Sequence, residues 1–491
     1  MLTAAFPPPG FSWLAWIAFV PLFKAIEGQG PKEGIKLGLI FGLVHFGTLL
    51  YWIVYVASHY GRLNLWLSTF PFLLLICYLA IYPVAFCGLW SYLQRGNLGF
   101  LTIPFTWTAL EFLRAKLLTG FPWCLVGYSQ FKNLILIQLA SLTGVYGLSF
   151  LIVLANFSIF QITVARTKGK RATNLIPLLI TLLAIGTALG YGNSVLSGDD
   201  SKAKGQALGV LVVQPNIDQS QKWNPSFQEA TIQLLETLTR KGATQGLDLI
   251  VWPETAIPFF FQENGKLSGQ IRALSKQLEV PIIFGSPAYE DSPNGRRYFN
   301  RAYLLIPGQE RLQWYDKVHL VPFGEYVPLK KFLFFIEKLV HGAGDFVPGK
   351  EVRPLETASS KFGILICFEA IFPEISREHM TQGAQYLVNL TNDAWFGKSS
   401  APYQHLAMSV FRAVENRVPL IRAANTGISA IVSPTGQILQ QSALFTEEII
   451  VHKIPMPSSY NPTLYTLFGD LFALICLILS GLGVLASFLK K

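Results

Sequence analysis

Gly363-Ile364-Leu365-Ile366-Cys367-Phe368-Glu369 is a short apolar run that stops on a thiol and a carboxylate. Leu249-Ile250-Val251-Trp252-Pro253-Glu254 stops in the same way on a carboxylate. Apolar runs of this length, rich in Ile and Val and bounded by turn residues, read as buried strands. The spacing predicts strands over 208–214, 247–252, 281–285, 302–306, 362–368, 386–390, 420–424 and 428–433, with helices near 226–242, 266–278 and 402–417. In the first helix Ala230, Leu234 and Leu238 fall four apart on one face, as packing on a sheet requires. Eight or more strands with interspersed helices over about 250 residues imply one layered α/β domain.

Outside that region the chain changes character. Of its 491 residues 51% are hydrophobic and only 14% charged, against roughly 25% charged in soluble domains. Apolar runs occupy about 11–26, 37–58, 66–93, 100–118, 134–164, 175–197 and 464–489. A membrane helix needs about 20 such residues, so six to seven spans are expected. Basic and acidic residues balance between 205 and 457, leaving the whole excess of +10 beside the apolar runs. That placement suits membrane topology and argues against nucleic acid as a partner. Arg166, Lys168, Lys170, Arg171, Lys490 and Lys491 mark the cytoplasmic side, and Lys24, Lys32, Lys36 and Arg95 fall there too. The same threading places 198–460 outside the cytoplasm.

The expected organisation is a membrane domain over 1–197 with about six transmembrane helices, an extracytoplasmic domain over 205–457, and a last transmembrane helix over 464–489. Short stretches at 197–206 and 455–462 serve as linkers. Met1 falls outside in this threading, with no basic flank, so a preceding membrane helix is expected upstream of this start. Glu111 and Arg114, one helical turn apart in an apolar run, read as a pair snorkelling near the outer surface, with Trp123 at the interface.

Four of the five cysteines lie in or at the membrane runs, and Cys367 stands alone in the outer domain. A single thiol facing an oxidising compartment is either buried and structural or used as a nucleophile. No CxxC or HxxxH spacing suggests a metal, and His319, His379 and His405 read as structural. Glu254 ends its strand as Cys367 ends its own, and strand ends are where α/β sheets gather ligand-facing side chains. Lys317, in Tyr315-Asp316-Lys317-Val318-His319, offers a cation. A carboxylate, an amine and a thiol make up a set for acyl transfer, although spacing alone does not join them.

Trp252-Pro253-Glu254, Lys317 and Cys367-Phe368-Glu369 resemble the Glu–Lys–Cys triad of the nitrilase superfamily. Three longer strings resemble the apolipoprotein N-acyltransferase family: Val321-Pro322-Phe323-Gly324-Glu325-Tyr326-Val327-Pro328, Asn392-Asp393-Ala394-Trp395-Phe396-Gly397 and Arg422-Ala423-Ala424-Asn425-Thr426-Gly427-Ile428. The apolar half carries matching strings in Glu111-Phe112-Leu113-Arg114, Thr119-Gly120-Phe121-Pro122-Trp123 and Gly127-Tyr128-Ser129-Gln130. Two points depart from the family pattern: Phe368 stands where Tyr is common, and the further N-terminal helix usual in the family is expected upstream of this start, the alternative being an N-out first helix.

The resemblance implies a multi-span α-helical membrane domain joined to an α/β nitrilase-like αββα sandwich. It implies ping-pong acyl transfer with no cofactor and no metal. The acyl donor would be a phospholipid, phosphatidylethanolamine above others. The acceptor would be the α-amine of a diacylglyceryl-cysteine apolipoprotein, the last step of lipoprotein maturation. Glu254, Lys317 and Cys367 would be catalytic, with the Phe368 backbone N–H beside Lys317 at the oxyanion. Glu325 would orient Lys317, Glu369 would support the site, and Trp223 would act as a lid. The expected setting is the bacterial inner membrane, as a monomer, with the catalytic domain periplasmic and the C-terminus cytoplasmic. The run Phe332-Leu333-Phe334-Phe335 reads as a loop dipping into the outer leaflet. The rival readings are a membrane-anchored nitrilase-type amidase and a transporter with a periplasmic sensor domain.

Overall fold

The computed structural model describes all residues except 61–63, 94–98, 168–174, 199–206, 264, 294, 328–345, 457–459 and 490–491. The expected loop at Phe332–Phe335 therefore lies outside the described residues, as do Arg95, Lys168, Lys170, Arg171 and the two terminal lysines. The chain divides into two compact units. One comprises Met1–Val54, Leu65–Gly198 and Thr463–Lys491, the other Tyr55–Asn64 and Asp199–Pro462.

The second unit is built on two six-stranded sheets. The first contains β1 (Ala207–Gln214), β2 (Leu249–Val251), β3 (Ile282–Ser292), β4 (Gly295–Leu305) and β5 (Gln313–Asp316). The second contains β6 (Leu355–Glu356), β7 (Lys361–Ile366), β8 (Tyr386–Thr391), β9 (Leu420–Ala424), β10 (Ala430–Val432) and β11 (Ile438–Gln441). The last strand, β12 (Glu448–Pro455), returns to the first sheet beside β1. In each sheet the central strands are parallel, β1–β2–β3 in one and β7–β8–β9 in the other, with antiparallel strands outside them.

Val210, Val212, Val251 and Ile283 of one sheet pack in a single core with Ile364, Ile366, Val388 and Ile421 of the other. The opposite face of the first sheet packs on the helices Gln228–Gly242 and Gly265–Leu278 through Ile232, Leu235, Leu238, Ile271 and Leu274. Helices Pro373–Thr381 and Ala401–Asn416 accompany the second sheet, which gives the αββα layering. All eight expected strands and three expected helices form. One detail differs: Ala230 is exposed, and the buried stripe of its helix runs through Thr231, Leu235 and Leu238. The larger apolar groups at the i, i+3 and i+4 positions set the face, and the small methyl of Ala230 does not.

The first unit is helical and apolar. Helices Pro31–Leu49 and Leu65–Leu93 approach closely because Gly34, Gly38 and Gly42 face the second helix. A Cβ on these three would lie 2.5 Å from Cys87 O, 2.6 Å from Pro83 O and 2.8 Å from Ala80 Cα. Small residues four apart are how membrane helices bring their backbones together. Among the described residues three helices are long and apolar enough to cross a membrane, Trp66–Trp90, Val145–Val164 and Ile176–Ser197. The pair Pro31–Leu49 and Trp52–His59, bent by 55°, makes a fourth if taken together.

This count is lower than the apolar runs suggested, for local reasons. The run over 464–489 is interrupted at Gly469, with φ of +59°, which separates the helices Leu464–Phe468 and Leu471–Leu489. The helix Gly99–Lys116 carries three charged residues. Ser12–Trp16 is a 3₁₀ turn before the short helix Val20–Ile26. Glu111 and Arg114 do not snorkel. Both are buried; Glu111 accepts from Val126 N at 2.8 Å, and Arg114 donates to Trp123 O at 3.0 Å. They tie the segment after Gly120 back onto their own helix, which also takes Trp123 out of the interface and into the core.

Candidate active site

Each expected catalytic side chain is set by the end of a strand. After β2 the chain turns at Pro253-Glu254-Thr255, close against β3. Gly285 N donates to Pro253 O at 3.1 Å, and a Cβ on Gly285 would meet Thr255 N at 2.3 Å. Thr255 adopts φ of +44°, a costly conformation for a β-branched residue that persists only where its surroundings fix it. After β5, Lys317 N donates to Asn300 O at 2.9 Å, and Gly349 N donates to Lys317 O at 2.8 Å. After β7, Cys367 takes φ of +50° and opens the 3₁₀ turn Cys367–Ile371. That turn makes a sharp elbow at Cys367.

The side chains of Glu254, Lys317, Asn300 and Glu325 form one network. Lys317 Nζ lies 2.9 Å from Glu325 Oε2 and 3.7 Å from Glu254 Oε1. Asn300 Nδ2 donates to Glu254 Oε1 at 2.7 Å and to Glu325 Oε1 at 2.8 Å, so one neutral amide bridges the two carboxylates. Val321 N donates to Glu325 Oε2 at 2.8 Å. Burial, with Glu325 adding to it, raises the Glu254 carboxyl above its ordinary range, while Lys317 pulls it down. Burial opposes the Lys317 ammonium, but Glu325, Glu254 and Cys367 outweigh it and hold the group well above its usual range. Burial and then Glu254 push the Cys367 thiol up, against Lys317. At rest the thiol keeps its proton.

Glu369 lies beneath this network and is fully buried. Its Oε1 accepts from Tyr315 OH at 2.9 Å, Val318 N at 2.7 Å and His319 N at 3.1 Å, and its Oε2 accepts from Ile366 N at 2.7 Å. Burial pushes its carboxyl up to about 7 while these backbone donors and Lys317 hold it down. The carboxylate thus links the strand end before Cys367, in one sheet, to the segment around Lys317, in the other. Phe368 is buried against Phe372, ring centroids 5.1 Å apart. Trp223 is half-buried and, with Pro258, Phe259, Phe260 and Pro287, lines a cavity of about 450 Å³.

Asn300 and Lys222 were not singled out in the sequence, and the roles of Asp393, His405 and Arg422 were not legible there. Asn300 sits on β4 outside any motif. Lys222 is buried, and its Nζ donates to Thr255 Oγ1 at 2.7 Å and to Glu254 O at 3.3 Å. Asp393, His405 and Arg422 form a buried cluster: His405 Nδ1 lies 3.0 Å from Asp393 Oδ1, and Arg422 donates to Asp393 Oδ2 at 2.7 Å and also to Asn389. His405 Nε2 lies 3.1 Å from Cys367 O. What this histidine meets there is the backbone of the elbow. Arg422 and His405 hold Asp393 down to about 2 against the effect of burial.

Comparison with known proteins agrees along the whole length. The model of the apolipoprotein N-acyltransferase N-terminal domain matches residues 1–158, and that of carbon-nitrogen hydrolases matches 210–461. The chain is 44% identical to the apolipoprotein N-acyltransferase of Geobacter metallireducens, over 99% of this chain and 93% of that protein. It is 31% identical to the enzyme of the same name from Methylococcus capsulatus, over 96% and 91%. A solved nitrilase-superfamily structure from Saccharomyces cerevisiae aligns with 51% of this chain and 90% of its own, at 21% identity and a TM-score of 0.40. Matched at both its helical and its sandwich half by relatives of one name, the chain belongs to the apolipoprotein N-acyltransferase family.

Proposed function

We propose that this membrane acyltransferase moves an acyl chain from a phospholipid to the N-terminal α-amine of diacylglyceryl-cysteine apolipoproteins through a thioester on Cys367. The observation that carries the reading is the buried network in which Lys317 and Asn300 both touch Glu254 and Glu325, with Cys367 electrostatically coupled to Glu254 and Lys317. A thiol kept protonated at rest needs a base at the moment of attack, and Glu254 is that base. Glu254 takes the Cys367 proton as sulfur attacks the ester carbonyl. Lys317, with the Phe368 N–H, meets the oxyanion. Collapse releases the lysophospholipid alkoxide, which receives the proton from Glu254.

The incoming α-amine then attacks the thioester, gives its proton to Glu254, and the sulfur leaves with that proton as the thiol. Ester to thioester is nearly balanced and thioester to amide runs downhill, so the second half-reaction drives the first. Both clients are held in lipid, and an enzyme embedded in the same lipid meets them at high effective concentration. Phosphatidylethanolamine is the preferred donor in this reading, and Trp223 acts as a lid over the cavity it lines. In this reading the enzyme works as a monomer in the inner membrane; the basic flanks support a periplasmic sandwich and a cytoplasmic C-terminus.

Neither a small-molecule amidase nor a transporter is favoured, since the relatives that match end to end are N-acyltransferases. The test is to incubate the purified chain with acyl-labelled phosphatidylethanolamine. The label is expected on Cys367 and chases onto a diacylglyceryl-cysteine peptide, while Cys367→Ala folds, inserts and takes no label. Release of ammonia from small amides, or retained transfer in the alanine variant, would overturn the reading.

A further inference from the structure

The helix Gln219–Lys222 leads directly into Trp223 and is pinned on both sides. Asp218 caps its start through Ser220 N at 2.7 Å, and Gln219 Oε1 accepts from Asn392 Nδ2 at 2.7 Å. Just upstream, Asn425 exchanges two hydrogen bonds with Ile217, at 3.0 and 2.9 Å. The position of Lys222 is thereby fixed from the ends of β8 and β9, and its buried ammonium is brought to the turn that carries Glu254.

Five cations are buried among the described residues of this unit. Lys317, Arg301, Arg412 and Arg422 each have a carboxylate within ion-pair distance. Lys222 has none among the described residues; its partners are the Thr255 hydroxyl and the Glu254 carbonyl. Burying an ammonium without a counterion is expensive, so its retention at this place calls for a use. The charges that act on it are Glu254 and Cys367, which restrain a pKa that burial lowers to about 8. The groups facing Glu254 are Lys317 and Glu325, the Asn300 amide, and Lys222; those facing Cys367 are Glu254, Lys317 and Asp393. With Lys222 charged, the four ionisable side chains Glu254, Glu325, Lys317 and Lys222 sum to zero. Without it the network carries a net negative charge, which favours protonation of Glu254.

We propose that Lys222 is a second cation of the acylation site, a positioning residue that keeps Glu254 ionised and holds the Glu254–Thr255 turn in place. The inference rests on the reading of Glu254 as the general base. Its sign is fixed. Removing a positive charge beside Glu254 raises the pKa of the carboxyl, so a larger fraction is protonated at a given pH and the acid limb of the rate profile moves to higher pH.

The experiment follows single-turnover labelling of Cys367 from acyl-labelled phosphatidylethanolamine as a function of pH, in the full chain purified in detergent. Lys222→Met keeps the stem and removes the charge. Its acid-limb midpoint is expected about one unit higher, which is about tenfold slower labelling below that midpoint. Lys222→Arg keeps the charge and is expected to retain the parental midpoint even if its rate falls. A merely structural lysine would lower the labelled amplitude and leave the midpoint of Lys222→Met unmoved, and that result overturns the proposal. If Lys222→Met does not fold, the arginine variant decides: a displaced midpoint with the charge retained overturns it, and an unmoved one supports it. Glu254→Gln separates the two levels. Should that variant keep the acid limb, the base assignment fails; should it lose the limb while Lys222→Met keeps its midpoint, only the role of Lys222 fails.

Discussion

Gly285→Ala tests whether the backbone position of the Glu254 turn governs catalysis. The added Cβ would lie 2.3 Å from Thr255 N, 2.8 Å from Glu254 Cα and 2.9 Å from Glu254 C. Ordinary contact begins near 3.4 Å, so the turn or β3 must give by about 1 Å. All three neighbours are backbone atoms, and no side chain can swing aside to absorb the difference. Catalytic groups tolerate about 0.5 Å of displacement, and a misplacement of about 1 Å costs on the order of 10²-fold in rate, or about 2.7 kcal/mol of barrier. Overpacking adds about 1–3 kcal/mol of lost stability. The assay is kcat/KM for acyl transfer in detergent beside a thermal melt of the same preparation. Gly269→Ala, where the added methyl meets nothing within 4 Å, is the control and should match the parent. A Gly285→Ala enzyme within about threefold of the parent would refute the idea that this close approach sets the base.

Glu254→Gln and Lys317→Ala should each lower turnover by at least about 10²-fold, as expected for loss of a general base or an oxyanion donor; label-transfer kinetics with Cys367 content as the reference would measure this. Because burial and Glu325 raise the Glu254 carboxyl, and because only its ionised form takes the thiol proton, labelling should rise with pH through a midpoint above about 4.3, the free glutamate value. An acid limb at or below that value would contradict the assignment. The same shift makes ionisation of Glu254 unfavourable to folding, so its own contribution to stability declines as pH rises through that midpoint. Asp393→Asn leaves Arg422 buried without its carboxylate and should cost about 3–5 kcal/mol of stability. Its melt should fall well below that of Cys367→Ala, which removes only a thiol.

The central strands were legible because parallel strands buried on both faces read as continuous apolar runs; 208–214, 386–390 and 420–424 are of this kind. β5, β6, β11 and β12 were not, since each is a sheet-edge strand whose residues mix polar with apolar in no regular alternation. β3 and β4 extend as far as Ser292 and Gly295 through residues such as Glu290, Asp291 and Arg296, whose charge masks a hairpin held by backbone pairing. Glu254 and Cys367 stood out because each ends an apolar run. Asn300 could not: a neutral amide on β4 becomes meaningful only when folding sets it between two carboxylates. Lys222 was hidden for a related reason. A lysine in a polar loop reads as solvated, and only its fixation by Asn392, Asn425 and Thr255 takes it out of water. Glu111 and Arg114 misled because a charged pair in an apolar helix has two exits, toward water or toward backbone partners, and sequence does not distinguish them.

The site is divided between two sheets, and this division explains why Glu369 matters although it touches neither reacting atom. Glu254 and Lys317 follow strands of the first sheet, and Cys367 follows a strand of the second. The sheets meet through apolar side chains, and such packing is non-directional; it fixes separation better than it fixes lateral register. A donor aimed at an oxyanion is worth about 2.7–4 kcal/mol only when it lies where the charge develops. Register between the sheets therefore has to be set by directional bonds. Glu369 supplies four of them, one to Ile366 before the elbow and three to Tyr315, Val318 and His319 around Lys317. The Asn300 amide performs the corresponding task within the first sheet, setting Glu254 against Glu325. In the proposed mechanism a thiol, an amine and a carboxylate from remote parts of the chain act as one group because these two polar links remove the freedom that the apolar core leaves.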